Sequence, residues 1–155
     1  MKKKILITRK LLKENEEKLK ELFDVKLNIN DEIYTADKIL ELSKDCDGIL
    51  CAVTDQFNKE LINKLTPSIK IIANYAVGYG NIDINAAKEK NIVVTNTPEV
   101  LDDSTADVSI LLLLGASRKV LEARRAAERQ DWKWSADFML GKQMSNKRLG
   151  ILGMG

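Results

Sequence analysis

The stretch KIIANYAVGYGNID, residues 70–83, decides the fold of this chain. It opens with a short apolar run over 70–74 that is typical of a buried strand, and glycines then interrupt the pattern. A short helical pattern follows over 84–90, and a second apolar run follows over 92–95. A strand, a helix and a strand in this order predict two parallel strands joined by a right-handed crossover.

The same alternation extends back to the beginning of the chain. Apolar runs typical of strands occupy 4–8, 25–28 and 47–51, and helical patterns occupy 12–23, 36–42 and 59–65. Five strands separated by helices predict an α/β fold with a doubly wound, mostly parallel sheet.

A long helix is predicted after Pro98. The helical pattern runs unbroken from Ser104, where Asp and Ser residues suit a helix start, to about Arg129. Its middle, residues 110–114, reads ILLLL and is apolar on every face, so we expect this half to be buried all round. Such a helix is typical of a strut or a dimer element.

The last fifteen residues hold four of the eight glycines. Residues 148–152 are predicted to form a strand, and Gly153-Met154-Gly155 then matches the first half of a GxGxxG turn. In that position the turn would bind a dinucleotide, although an ordinary glycine turn explains the same residues.

Composition excludes several classes of function. Lys and Arg total 25 against 23 Asp and Glu, a net charge of +2, which argues against a nucleic-acid binder. The chain has no histidine, which excludes His-dependent nucleophilic catalysis and His-ligated zinc, and no metal site is expected. Cys46 and Cys51 are expected to be buried free thiols. No targeting signal or membrane-spanning segment is recognisable, so a cytoplasmic protein without a membrane partner is expected.

Three segments resemble one family. Residues 74–83 (NYAVGYGNID), 94–101 (VTNTPEVL) and 105–107 (TAD) strongly resemble the D-isomer-specific 2-hydroxyacid dehydrogenases. Residues 134–141 and 147–155 look most like the glyoxylate/hydroxypyruvate reductase branch. The resemblance covers the whole chain but only about half of the family's length. Gly80 departs from the pattern, since the family commonly has Asp there.

The resemblance implies two domains. Residues 1–99 would form a flavodoxin-like substrate domain, with a hinge near 98–101. Residues 100–155 would begin a truncated NAD(P)-binding Rossmann domain with the long helix, a dimer segment, the first strand and the glycine turn. The family's catalytic Arg, Glu and His would all lie beyond residue 155, so no catalytic residue is expected in this chain. The cofactor would be NAD or NADP, and the substrate a small 2-oxo acid.

Substrate-binding residues are expected at the carboxyl edge of the sheet. Val77 and Gly78 follow the fourth strand; their spacing alone fits a structural glycine turn, whereas the resemblance favours carboxylate binding by their N–H groups. The resemblance also assigns Ala52 and Ala76 to the pocket lining. Asp55 is expected to cap the following helix.

Three further assignments rest on the resemblance. Thr105 would approach the nicotinamide, although it also fits an ordinary first-turn helix residue. Trp134 would reach into the active site of a neighbouring subunit, and packing on its own long helix is the alternative. Gly153, Met154 and Gly155 would bind the cofactor. A homodimer is expected through 104–129 and 132–142.

Two other classes of protein with this fold need residues after the first strand that the chain lacks. A receiver-type regulatory domain would need an acidic pair after the first strand, where the chain has Thr8-Arg9-Lys10. A flavodoxin would need a hydroxyl- and glycine-rich phosphate loop in the same position. A non-enzymatic half-length chain that binds small carboxylates or only dimerises stays open.

Overall fold

A computed structural model describes residues 2–153. The chain divides into two compact units, Met1–Val100 and Leu101–Gly155. In chain order the elements are β1 (Lys4–Ile7), α1 (Lys13–Leu22), β2 (Asp24–Lys26), α2 (Ala36–Ser43), β3 (Gly48–Ala52), α3 (Lys59–Lys64), β4 (Ile71–Tyr75), α4 (Ile84–Glu89), β5 (Val93–Thr95), α5 (Asp102–Ser117) and α6 (Val120–Arg129).

The first unit contains a single five-stranded parallel sheet among the residues described. Its strand order is β2-β1-β3-β4-β5, and every pair of neighbouring strands is parallel. The chain moves outward from β1 to β2 and then returns past β1 to β3, so the strand order reverses between β1 and β3. The predicted doubly wound α/β fold is confirmed, and ligands of such sheets bind beyond the carboxyl ends of the strands at this switch point.

The core of this unit lies between the sheet and its helices. Phe57, Ile62 and Ile72 are fully buried, and they belong to one cluster with residues of β1, β3, α2 and α4. Three helices begin with a side-chain cap, in which Thr35, Asn58 and Asp83 accept a hydrogen bond from the third residue beyond. These caps fix where the loops after β2, β3 and β4 end.

The second unit differs from the sequence prediction at the long helix. The predicted unbroken helix is two helices, because Lys119 adopts a left-handed backbone with φ 54°. The Lys142 N–H donates to the Ser117 carbonyl at 2.7 Å, which satisfies a carbonyl at the end of α5. Gly141 permits this approach, since a Cβ there would lie 2.7 Å from that carbonyl oxygen. Helical periodicity alone does not reveal such a break.

Two other predictions for this unit are wrong. Residues 110–114 are not buried but between 39% and 66% exposed, and α5 has no buried residue. Residues 148–152 form no strand. A strand exists only where a neighbouring strand hydrogen-bonds to it, and no described residue pairs with this segment. None of the helices in residues 2–153 is both long enough and apolar enough to cross a membrane.

Candidate functional site

Buried polar side chains concentrate at the carboxyl edge of the sheet. Five polar or charged residues are buried among those described, and four of them lie at or just after the end of a strand: Thr8, Asn28, Asp55 and Asn74. Burying a polar group costs free energy unless hydrogen bonds replace its water. Their contacts therefore show how this edge is built.

The loop after β4 is held by its carbonyl groups. Three consecutive carbonyls, 76–78, each accept a hydrogen bond from the first unit: Ala76 O from Thr97 N at 2.9 Å, Val77 O from Asn96 Nδ2 at 2.8 Å, and Gly78 O from Asn74 Nδ2 at 2.8 Å. In a trans peptide the N–H points opposite to the C=O of the same unit. The N–H groups of residues 77–79 therefore point away from these three donors.

The same N–H groups are free. No described residue accepts a hydrogen bond from the backbone N–H of any residue in 77–81. Gly78 does not have a left-handed φ, and a Cβ there would meet nothing within 4 Å. The turn itself thus does not require glycine at 78, and its open side lets a small ligand approach the backbone. Successive free N–H groups are suited to bind an anion.

The loop after β3 is hydrogen-bonded to the backbone of Ala52, the last residue of β3. The Ala52 N–H donates to Asp55 Oδ2 at 2.9 Å, and its carbonyl accepts from the Asp55 N–H at 3.0 Å. Ala52 thus has no free N–H for a ligand. In the part of the chain that the structure describes, the backbone N–H groups of Val53, Thr54, Gln56 and Asn58 in this loop have no acceptor.

The sequence predicted that Asp55 caps the following helix. This prediction is wrong, because Asn58 is the residue that caps it. The Asp55 carboxylate is 2% exposed and turns back toward β1, where Oδ2 accepts from Thr8 Oγ1 at 2.7 Å. Its Oδ1 has no donor among the residues described. The Asp55 carboxylate therefore joins the end of β1 to the loop after β3.

Both cysteines are free and buried, as predicted. Burial, with the Asp55 charge nearby, raises the pKa of the Cys51 thiol to about 12. The Cys51 thiol donates to Asn74 Oδ1 at 3.5 Å. Because this thiol stays protonated at neutral pH, Cys51 packs as a small apolar residue and is not a nucleophile.

Sequence reasoning missed Arg9, which follows β1 at the same edge. Its Nε donates to Asp31 Oδ1 at 2.8 Å, and its Nη1 donates to Thr54 Oγ1 at 2.7 Å. The Arg9 guanidinium, with the Lys10 N–H, lowers the pKa of Asp31 to about 2. The position of Arg9 directly after the first strand is the signal that could have identified it.

The remaining predicted site residues lie in the second unit. Thr105 is exposed in the first turn of α5, and its carbonyl accepts from Ser109 Oγ at 2.8 Å. Trp134 is 81% exposed in an irregular segment, so it does not pack on its own helix. Trp132 instead stacks on Phe138, with ring centroids 5.5 Å apart.

The glycine turn is described only in part. Gly153 has φ +79°, a left-handed backbone that favours glycine, and a Cβ there would meet nothing within 4 Å. This conformation fits the opening of a dinucleotide-binding turn. Met154 and Gly155 lie outside the described residues.

Comparisons with known proteins agree in both sequence and structure. The family described as D-isomer specific 2-hydroxyacid dehydrogenase, catalytic domain, matches residues 5–146. A glyoxylate reductase of Korarchaeum cryptofilum is 38% identical over 157 residues, covering 100% of this chain and 47% of that protein. The chain thus spans about half the length of the curated relatives it matches.

Two solved structures extend the likeness to the fold. A protein from Polaromonas sp. JS6 66, assigned as a D-isomer specific 2-hydroxyacid dehydrogenase, NAD-binding, has a TM-score of 0.90 at 34% identity and covers 100% of this chain and 49% of that one. The NADPH-dependent glyoxylate/hydroxypyruvate reductase of Sinorhizobium meliloti, solved with NADP and malonate, has a TM-score of 0.70 at 30% identity, covering 85% and 40%. The chain belongs to the D-isomer-specific 2-hydroxyacid dehydrogenase family.

Proposed function

We propose that the full-length protein containing this chain reduces a small 2-oxo acid, glyoxylate or hydroxypyruvate, to the 2-hydroxy acid with NADH or NADPH. The observation that carries the proposal is the loop after β4, whose carbonyls are bound to the protein and whose N–H groups at 77–81 are free. Relatives named glyoxylate reductase, which match the whole chain, support the choice of substrate class.

In this proposal the chain supplies one wall of the substrate site. The N–H groups of Val77 and Gly78 bind the substrate carboxylate, while Ala52 and Ala76 line the pocket. Two donors fix a carboxylate in position, and this orients the keto group for reaction. The proton donor is a His paired with a Glu, and an Arg holds the substrate; the family resemblance implies these residues beyond residue 155.

The nicotinamide cofactor supplies the hydride for the keto carbon, and the proton donor protonates the oxygen. Thr105 would approach the nicotinamide, and Gly153, Met154 and Gly155 would bind the cofactor. The left-handed φ of Gly153 supports this role. NAD and NADP are equally compatible with these residues.

We also propose a homodimer, with residues 104–129 and 132–142 at the interface and Trp134 reaching the partner's active site. Exposed leucines on α5 and the 81% exposed Trp134 support this arrangement, since large exposed apolar surfaces are typical of interfaces. Light scattering on the full-length protein tests it, and a monomer at micromolar concentration contradicts it. A cytoplasmic location fits the two free thiols.

The full-length enzyme should oxidise NADH or NADPH when glyoxylate or hydroxypyruvate is added, as followed by nicotinamide absorbance. The 155-residue chain alone has no histidine and is expected to be inactive. A full-length enzyme that oxidises formate or phosphoglycerate but ignores glyoxylate and hydroxypyruvate contradicts the assignment.

A pair of glycine variants sharpens this experiment. Gly78→Ala adds a methyl group to open space, so the fold is kept while the carboxylate is hindered. We expect KM for the oxo acid to rise about tenfold, a loss of ~1.4 kcal/mol in binding. Gly80→Ala adds the same methyl to equally open space and is the matched control. Equal KM values in the two variants would count against carboxylate binding at Gly78.

A further inference from the structure

We propose that Asn81 is a positioning residue for substrate binding: paired with Asn74, it locks the loop after β4 to the loop after β3. We call Asn74 and Asn81 the amide pair. The inference rests on the proposed function, because it explains how the N–H groups of Val77 and Gly78 are held ready for a carboxylate.

The two side-chain amides bond to each other. Asn74 Nδ2 donates to Asn81 Oδ1 at 3.1 Å, and Asn81 Nδ2 lies 3.4 Å from Asn74 Oδ1. Asn74 is 2% exposed. Burying an amide costs free energy unless its hydrogen bonds are satisfied. The buried Asn74 side chain therefore needs the Asn81 side chain as a hydrogen-bond partner, and this holds Asn81 in place.

Each member of the pair also holds a loop. Asn74 Nδ2 donates to Gly78 O at 2.8 Å, which sets the last of the three bound carbonyls in the loop after β4. Asn81 Nδ2 lies 3.0 Å from Asp55 O in the loop after β3 and 3.2 Å from Ala52 O at the end of β3. The amide pair is therefore a single joint between the two loops that line the substrate site.

Backbone hydrogen bonds next to the amide pair support the proposed role of Asn81. The Phe57 N–H donates to Asn81 O at 2.8 Å, and the Asp83 N–H donates to Phe57 O at 2.9 Å. These bonds hold the far end of the loop after β4, whereas the near end at Gly78 is held by Asn74. Without the Asn81 side chain, the near end loses its connection to the loop after β3. A loop that is competent for only part of the time binds its ligand correspondingly more weakly.

This role predicts a specific kinetic signature. A positioning residue for the carboxylate should affect KM for the oxo acid and leave KM for the nicotinamide nucleotide unchanged. If the Asn81 side chain only stabilised the fold, its replacement should lower the melting temperature without raising KM for the oxo acid relative to KM for the nucleotide. The measurement is therefore made on the full-length protein, with both substrates varied.

Two variants of Asn81 are needed. Asn81→Ala removes all the bonds of the side chain. Asn81→Asp keeps the size but loses the donor and turns an oxygen toward the carbonyls of Ala52 and Asp55. We expect each variant to raise KM for glyoxylate about tenfold, with KM for the nucleotide within about twofold of wild type. If Asn81→Ala does not fold, the isosteric variant still gives the result.

Asn28→Ala is the matched control. Asn28 is also buried, at 3% exposed, and its Nδ2 donates to Thr8 O and Glu32 O at 2.7 Å each. Its side chain forms no hydrogen bond with either of the two loops joined by the amide pair in the described part of the chain. We expect this variant to lose stability while its KM for glyoxylate stays near the wild-type value.

Malonate titration provides a readout that needs no turnover. We expect both Asn81 variants to bind malonate about tenfold more weakly than wild type, and Asn28→Ala to bind it normally. Unchanged glyoxylate KM and malonate affinity in the Asn81 variants would overturn the inference, as would an equal rise in Asn28→Ala. If the wild-type enzyme reduces no 2-oxo acid, the proposed function fails, and the malonate comparison still decides the role of Asn81.

Discussion

The two units of the chain differ in how far their apolar side chains are buried. In Met1–Val100 the apolar residues of the strands and of α2, α3 and α4 form a continuous buried cluster. In Leu101–Gly155, Ala126 is the single buried apolar residue among those described, while leucines on α5 are exposed. The second unit has no strand in its described part.

This difference teaches that similar hydrophobic content can have different energetic consequences. Burial of apolar area contributes ~25 cal/mol per Å², so the first unit gains its stability from its own residues. The leucines of α5 contribute little stabilisation of this kind, because the described residues leave them exposed. They would be buried only if another surface covered them. The loops that we propose to face the substrate belong to this first unit.

The largest expected effect tests this comparison directly. Leu61→Ala, at a side chain 2% exposed in α3, should lower the free energy of unfolding by about 2–5 kcal/mol because it leaves a cavity. Leu112→Ala, at 66% exposed in α5, makes the same chemical change and should alter the free energy of unfolding of the monomeric 155-residue chain by less than about 0.5 kcal/mol. Urea unfolding, with hydrogen exchange of β3 and β4, measures both. Equal losses would mean that α5 is buried in solution.

A smaller effect is expected at the break between α5 and α6. Lys119 has φ 54°, and a left-handed conformation costs a non-glycine residue about 1–2 kcal/mol. Lys119→Gly removes that cost but adds freedom to the unfolded chain, so we expect a net gain of up to about 1 kcal/mol. Lys133→Gly, at a residue without positive φ, is the control and should give no gain. Hydrogen exchange of the α6 amides measures the change, and equal protection in both variants would argue for a continuous helix.

The smallest effect concerns acid stability of the first unit. Arg9 and the Lys10 N–H hold the folded pKa of Asp31 at about 2, whereas its unfolded pKa is about 3.9. A lowered carboxyl pKa stabilises the fold above the unfolded pKa, and this contribution is lost as pH falls from about 4 to about 2. Asp31→Asn should therefore be less stable than wild type at pH 6, and the gap should narrow near pH 2.

Urea midpoints at both pH values measure that gap, with Glu14→Gln as a control carboxyl. Glu14 forms no ion pair or side-chain hydrogen bond in the described part of the chain. The effect of Asp31 is small because its ion pair with Arg9 is partly exposed, and solvent screens such pairs. Depressed pKa values at Asp45 and Asp47 give acid sensitivity in the same direction, so only the difference between variants is informative. A stability difference between Asp31→Asn and wild type that stays constant with pH would contradict the prediction that Arg9 lowers the pKa of Asp31.

The sequence predicted the first unit well because each of its elements has a local signal. Apolar runs and helical spacing identified all five strands and the helices between them to within one or two residues. The break at Lys119 and the missing strand at 148–152 were not predictable in this way, because both depend on contacts distant in sequence.

Site residues divide along the same line. Val77 and Gly78 were found through a motif, and their roles stay predictions, as do those of Ala52, Ala76, Thr105 and Trp134. The contacts of Asp55 were mispredicted, because its partner Thr8 lies 47 residues away in the sequence. The amide pair gave no sequence signal, since the bonds from Asn81 to Asp55 and to Ala52 span 26 and 29 residues.

The free N–H groups at 77–81 have a consequence for how this protein can be studied. Amide protons without an acceptor exchange rapidly with solvent deuterium, whereas those in the neighbouring β4 ladder are protected. A carboxylate bound across Val77 and Gly78 would accept hydrogen bonds from their N–H groups and slow that exchange. Deuterium uptake at residues 77–81 would thus measure how much ligand is bound, and ligands could be ranked in this way before any turnover is observed.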